Sequence, residues 1–189
     1  MFFHLDTAKV RIKSNNDYLI NLIEDKNQEI LDLTMGLARD SMVMSYFGHK
    51  VTAIESNSII YNIVKYGLTN YKTGDINIDN AMKKITTINS YNYEFLKNIP
   101  DNSYDVIYVD PMFEYKIKDS NNLNSIESLA NNSKVTHELF EEMKRVARNK
   151  IIIKAHNKDE VFNNFNFKKY ERSGSKFSYG YYNIGENNV

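Results

Sequence analysis

The chain has 189 residues with 24 basic and 24 acidic side chains, so its net charge is zero and no global field draws a polyanion to it. It has no cysteine, which excludes a disulfide scaffold, a thiolate nucleophile and a cysteine-ligated zinc site. With 42% hydrophobic and 25% charged residues it has the balance of one globular domain; no apolar run nears the length of a membrane span and no secretory signal opens it, so a cytoplasmic protein is expected.

Residues 29–33 (EILDL) predict a first strand, and 37–48 a helix that is apolar nearly all round. Residues 50–55 (KVTAIE) predict a second strand. Over 58–68, Ile59, Ile60, Ile63 and Val64 fall on one helical face. Residues 84–89 and 104–110 (YDVIYVD) predict a third and a fourth strand. The stretch 119–133 gathers Asn and Ser and reads as a loop. Over 136–148, Leu139, Phe140, Met143, Val146 and Ala147 form one helical stripe. Residues 150–154 (KIIIK) predict a fifth strand, and 167–172 with 176–184, joined through Gly174, a closing hairpin. Strands rich in β-branched residues alternating with helices point to an α/β fold, a mostly parallel sheet covered on both faces, with an antiparallel edge from the hairpin. Ligands of such sheets bind beyond the carboxyl ends of the strands, so the informative residues should follow each strand.

After the first strand comes Asp32-Leu33-Thr34-Met35-Gly36-Leu37-Ala38-Arg39-Asp40. A glycine at this turn lets the backbone approach a ligand, although the segment by itself reads more simply as an ordinary β–α turn. Glu55 ends the second strand about 20 residues on, where nucleotide-binding sheets place an acid that accepts from ribose hydroxyls. After the fourth strand comes Asp110-Pro111-Met112-Phe113, and Pro111 is one of only two prolines in the chain. A carboxylate, a residue of rigid φ and an aromatic ring on one short loop suit a planar amine. Asp110 and the Pro111 carbonyl would accept its two N–H hydrogens, and Phe113 would stack on the base. A turn with a buried Phe anchor is the alternative.

With these segments in order, the chain resembles class I S-adenosylmethionine (AdoMet)-dependent methyltransferases. More closely, it is similar to the RsmJ-type family of small-subunit ribosomal RNA guanine-N2 methyltransferases and its Gram-positive relatives. The likeness runs from FFHLDTAKVRIK through LDLTMGLARD, AIESNSIIYNIVKYGL and VIYVDPMFEYKIK to IIIK and SKFSYGYY, almost the whole chain. It implies a Rossmann-like sheet of about seven strands with AdoMet across the ends of the first, second and fourth. Implied cofactor contacts fall on Asp32, Gly36, Arg39, Asp40, Glu55, Ser56, Tyr91, Asn92 and Asp110, with residues 1–27 packing near the cleft of a catalytic domain over 28–189. The chain departs from its relatives at Ala38, where a second glycine is common, at Tyr91 and Asn92, where small or acidic residues are expected, and in a shorter N-terminal extension.

The implied reaction moves a methyl group to an exocyclic amine of an RNA base, guanine N2 in small-subunit ribosomal RNA or a ribosomal particle being the expected partner. Asp110, Pro111 and Phe113 are its expected catalytic residues. Lys9, Arg11, Lys13, Lys116, Lys118 and Lys154 are candidate phosphate contacts, although a solvated face explains any one of them. His4, His49, His137 and His156 lack metal-ligand spacing, and no metal is expected. A methyltransferase acting on a small molecule or protein, and a binding module that kept the fold without catalysis, are the alternatives.

Overall fold

The computed structural model describes residues 3–14, 16–111, 135–171 and 174–186. Its strands are β1 (Glu29–Asp32), β2 (Lys50–Glu55), β3 (Thr86–Asn89), β4 (Tyr104–Val109), β5 (Ala147–His156), β6 (Lys168–Tyr170) and β7 (Phe177–Asn183). Its helices are α1 (Asp6–Ser14), α2 (Tyr18–Ile23), α3 (Arg39–Tyr46), α4 (Ser58–Asn70), α5 (Ile76–Lys83), α6 (Asn92–Lys97), α7 (His137–Val146) and α8 (Val161–Asn164). The seven strands form one sheet in the order β3-β2-β1-β4-β5-β7-β6. Neighbours pair in parallel except at β7, which runs antiparallel to both β5 and β6. This is the Rossmann-like sheet with a closing hairpin that the alternation of elements predicts.

Side chains in a strand alternate between faces, and here the alternation divides two cores. Ile30, Val51, Ala53, Val106, Tyr108 and Ile152 pack with α1 to α5. Leu31, Ile54, Ile107, Val109, Ile151 and Ile153 pack with α6 to α8. The central strands are buried on both sides, which is why they read as unbroken apolar runs. Followed to the strand ends, the same parity turns Asp32, Glu55, Asp110 and Lys154 toward the α1–α3 face.

Helix starts are fixed locally. The side chains of Asp17, Asn57, Asp75 and Thr136 accept from backbone N–H groups of the first turns of α2, α4, α5 and α7. The N-terminal helices lie on the sheet through α3, burying Leu5, Ala8, Ile12, Leu19, Leu22 and Ile23. Phe3 packs so closely on α4 that a Cβ at Gly67 would stand 2.2 Å from its ring, so only glycine fits there.

Several boundaries move by one to three residues from expectation, and at two the cause is plain. Strand β5 begins at Ala147, directly after α7, and continues to His156 because β7 pairs with it from Lys150 onward. The third strand starts at Thr86, two positions late, because Lys84 and Ile85 close the end of α5 by bonding back to Ala81 and Met82. Helices α1, α2, α5, α6 and α8 were not anticipated. Each is short or polar, and α1 buries only Ala8 and Ile12 of its nine residues.

Candidate active site

The loop after β1 is laced to both neighbouring strands. Leu33 donates its N–H to the Tyr108 carbonyl (2.9 Å) and Met35 donates to the Ile54 carbonyl (2.9 Å). The chain then turns through Gly36 at φ +48° and Ala38 at φ +57°, both left-handed. Ala38 thus holds a side chain in a left-handed conformation that favours glycine. Among the described residues, a Cβ on Gly36 would meet nothing closer than the Thr34 carbonyl at 3.9 Å, so they leave its outer face open.

Glu55 closes this turn from β2. Its carboxylate accepts from Gly36 N–H (3.0 Å) and Asn57 N–H (2.8 Å), with the Ser56 N–H also close. Burial raises its pKa, and these backbone bonds oppose the rise. Ser56 follows directly; its carbonyl and that of Glu55 accept from the Asn89 amide at 3.3 and 2.6 Å. Tyr91, at the start of α6, is 60% exposed, and the side-chain Oδ1 of the neighbouring Asn92 accepts from Tyr93 N–H at 2.7 Å.

Asp32 is wholly enclosed, accepting from Ser41 Oγ (2.5 Å) and Thr34 N–H (3.0 Å). Burial pushes its pKa up to about 7 against those two hydrogen bonds. Thr34 also ties the two strand ends together, because its Oγ1 accepts from Asp110 N–H at 2.7 Å.

Beside it lies a chain of alternating charges. Arg11 of α1 donates to both Asp17 oxygens (2.7 and 3.0 Å) and to Asp40 of α3. Asp40 also accepts from Tyr108 Oη (3.0 Å) and Lys154 Nζ (3.4 Å), and Lys154 Nζ bonds Asp110 Oδ2 at 2.5 Å. Burial works against the Asp40 charge, but Lys154 and Arg11 outweigh it and hold the carboxyl well below the usual range. Asp110 goes the other way. Burial, with Asp40 nearby, raises its pKa more than Lys154 lowers it. Burial disfavours the Lys154 charge too, yet Asp40 and Asp110 raise its pKa, so the ammonium is retained. Tyr108 and Tyr179 line this pocket with pKa values raised by burial, and Tyr179 faces Lys154 across the β5–β7 ladder.

The structure thus brings Asp32, Gly36, Asp40, Glu55, Asp110, Lys154 and Arg11 to one edge of the sheet. Arg11 and Lys154 meet carboxylates there. Pro111 is buried, Lys13 is exposed on α1, and Phe113, Lys116 and Lys118 lie outside the described residues. Arg39 Nη2 is 3.2 Å from His4 Nε2, and its enclosed Nε has no hydrogen-bond partner among the described residues. Sequence reasoning missed Asp17, Thr34, Ser41, Tyr108 and Tyr179. Tyr108 had a signal: a phenol in the middle of a doubly buried strand needs a partner for its hydroxyl.

A family model described as "Putative SAM-dependent methyltransferase" matches residues 9–179. The "Uncharacterized protein YpiP" of Bacillus subtilis (strain 168) is 32% identical over 187 residues, covering 95% of this chain and 73% of that one. The ribosomal RNA small subunit methyltransferase J of Buchnera aphidicola subsp. Schizaphis graminum (strain Sg) is 30% identical over 152 residues, covering 77% of this chain and 60% of that protein. Its namesake in Francisella tularensis subsp. novicida (strain U112) is 30% identical over 127 residues, covering 58% and 52%. The chain therefore spans between 52% and 60% of the length of these two relatives. Among solved structures, the SAM-dependent methyltransferase NGO1261 of Neisseria gonorrhoeae has a TM-score of 0.68 at 13% identity, over 98% of this chain and 75% of that one, a likeness of fold.

Proposed function

This chain belongs to the SAM-dependent methyltransferase family, with AdoMet as its cofactor, and from that membership we propose that it methylates an exocyclic amine of an RNA base, guanine N2 of small-subunit ribosomal RNA. The observation that carries the reading is Asp110. It places a carboxylate immediately beyond β4, pinned by its own N–H to Thr34 and by Oδ2 to Lys154. The two relatives named for small-subunit ribosomal RNA methylation support the choice of acceptor.

The residues present fit the cofactor. The turn at Gly36 and the Glu55 carboxylate beside it suit a ribose, and the enclosed Arg39 Nε can donate to a carboxylate. Asp17, Asp40 and Asp110 outnumber Arg11 and Lys154 by one charge when ionised, which favours a cation close by. When bound, AdoMet supplies an electrophilic methyl on a positive sulfur. The protein's part is positional. Asp110 and the Pro111 carbonyl accept the two N–H hydrogens of the amine, which aims the nitrogen lone pair at the methyl carbon. The aromatic ring expected from the sequence to stack on a base turned out of its helix is that of Phe113, outside the described residues. An amine that takes up a methyl group must also give up one proton, and the Asp110 carboxylate would be the acceptor for it.

The test pairs calorimetric titration with AdoMet and methyl transfer to small-subunit ribosomal RNA and assembled subunits. Binding of AdoMet with transfer that Asp110→Asn lowers by about 100-fold or more supports the reading. Transfer unchanged in the Asp110 variant refutes the amine clamp. Transfer to a protein or small molecule but not to RNA refutes the acceptor.

A further inference from the structure

Lys154 is the cation that holds Asp110, and its setting sets it apart from a lysine that waits for a phosphate. It projects from β5 toward the α1–α3 face, with its side chain only 24% exposed. Asp40 holds it from α3 and Asp110 holds it from the end of β4, at 3.4 and 2.5 Å. Tyr179 stands opposite it on β7. Asp40 in turn is fixed by Arg11 and by Tyr108 Oη, so the ammonium has little freedom to turn outward. A lysine serving RNA phosphates would need that freedom.

We infer that Lys154 is a positioning residue for methyl transfer: braced by Asp40, it fixes Asp110 through Oδ2 so that the other carboxylate oxygen faces the acceptor amine. This rests on reading Asp110 as the amine acceptor. The division of labour follows from the two carboxylates. Asp40 accepts from three donors and holds its charge, whereas Asp110 is bonded to one cation, Lys154, and burial outweighs it. Without Lys154, Asp110 would take a proton more readily and lose the acceptor that the amine needs. Lys154 therefore sets both the direction and the ionisation of the group that meets the substrate.

The groups facing the bridge are Arg11 from α1, Asp32 from β1, Asp40 from α3, Tyr108 from β4 and Tyr179 from β7. Of these only Asp32, at about 7, titrates in the range of interest, so its carboxyl signal is assigned separately. The experiment compares Lys154→Met and Lys154→Arg in the full chain. Carbon-13 carboxyl resonances of Asp110 are followed against pH without cofactor, and AdoMet affinity, kcat and KM for RNA are measured alongside. In Lys154→Met the Asp110 midpoint rises, kcat falls about 100-fold, the acid limb of its pH profile moves up, and both AdoMet affinity and KM for RNA stay near wild type. Lys154→Arg restores the Asp110 midpoint and part of the rate. Lys154→Gln takes the place of the Met variant if that chain does not fold. An Asp110 midpoint that stays put overturns the proposal. So does a raised KM for RNA with unchanged kcat and a weaker salt dependence, which would make Lys154 a phosphate contact. The carboxyl titration needs no acceptor, so failure of the RNA reading shows separately, as a wild-type protein that binds AdoMet and leaves RNA unmethylated.

Discussion

Asp32 ends β1 with its carboxylate enclosed by Thr34 and Ser41, and burial outweighs those bonds to raise its pKa to about 7. The sign of the consequence is fixed. The unfolded chain loses this proton near 3.8 and the folded chain near 7, so between them the folded state binds more protons and stability falls as pH rises. Glu55 and Asp110 share the direction, while Asp79 and Asp105, whose pKa values are lowered, oppose it. The difference between wild type and Asp32→Asn isolates the one group. Urea unfolding across this range should show the wild type losing stability relative to the variant, by at most about 1.4 kcal/mol per pH unit. Parallel curves for the two proteins would mean that Asp32 is already ionised in the folded chain.

At the scale of elements, two connections carry the site, the glycine turn between β1 and α3 and helix α1. Gly36→Ala adds a methyl group to an open, left-handed position, which costs about 1 kcal/mol in backbone strain and no packing. If AdoMet lies across this turn, the same methyl obstructs it. The variant should therefore melt only slightly below wild type while its AdoMet affinity by calorimetry falls at least about tenfold, a loss that strain alone would not produce. Unchanged affinity would move the cofactor away from Gly36. Helix α1 enters the site through Arg11. Arg11→Met leaves Asp17 and Asp40 without their shared cation, and removing one partner of such an enclosed pair costs about 3 kcal/mol. Denaturant midpoints check this, and a change below about 1 kcal/mol would show that water already serves those carboxylates. The strands were legible because their β-branched runs are buried on both faces whatever the rest of the chain does. Helix α1 was not, because it buries only Ala8 and Ile12 of its nine residues and is otherwise tied down by Arg11 to Asp17 and Asp40, tertiary contacts with almost no periodic trace. The site was half legible. Asp32, Glu55 and Asp110 stand at the ends of their strands, but the pairing of Lys154 with Asp40 and Asp110 depends on strand order, which brings β4 beside β5, and on the first turn of α3, which carries Asp40 to Tyr108 and Lys154.

For the whole molecule, the zero net charge conceals how its cations are distributed. Arg145 and Arg148 are engaged with Glu142, Asp101, Asp105 and Glu29, across the turn before β4 and the opening residues of β1, β4 and β5. At the other edge Arg11 and Lys154 are held by Asp17, Asp40 and Asp110. Of the six basic residues that sequence alone puts forward for phosphate, this leaves Lys9, Lys13, Lys116 and Lys118. Lys9 stands 5.6 Å over the Tyr71 ring and Lys13 is exposed on the same helix, while the other two lie outside the described residues. Four contacts to RNA phosphates release counterions enough for a slope of about −3 in log affinity against log salt. Filter binding of the small-subunit RNA over a range of salt measures that slope, and Lys13→Ala should make it shallower by about 0.7. Arg11→Met should weaken the fold and leave the slope where it is, because its charge is already matched inside the protein. A slope near zero would remove RNA phosphates from recognition altogether. A much steeper one would mean that Arg11 and Lys154 leave their carboxylates when RNA binds, and the buried charge chain would then be the resting state of an RNA clamp.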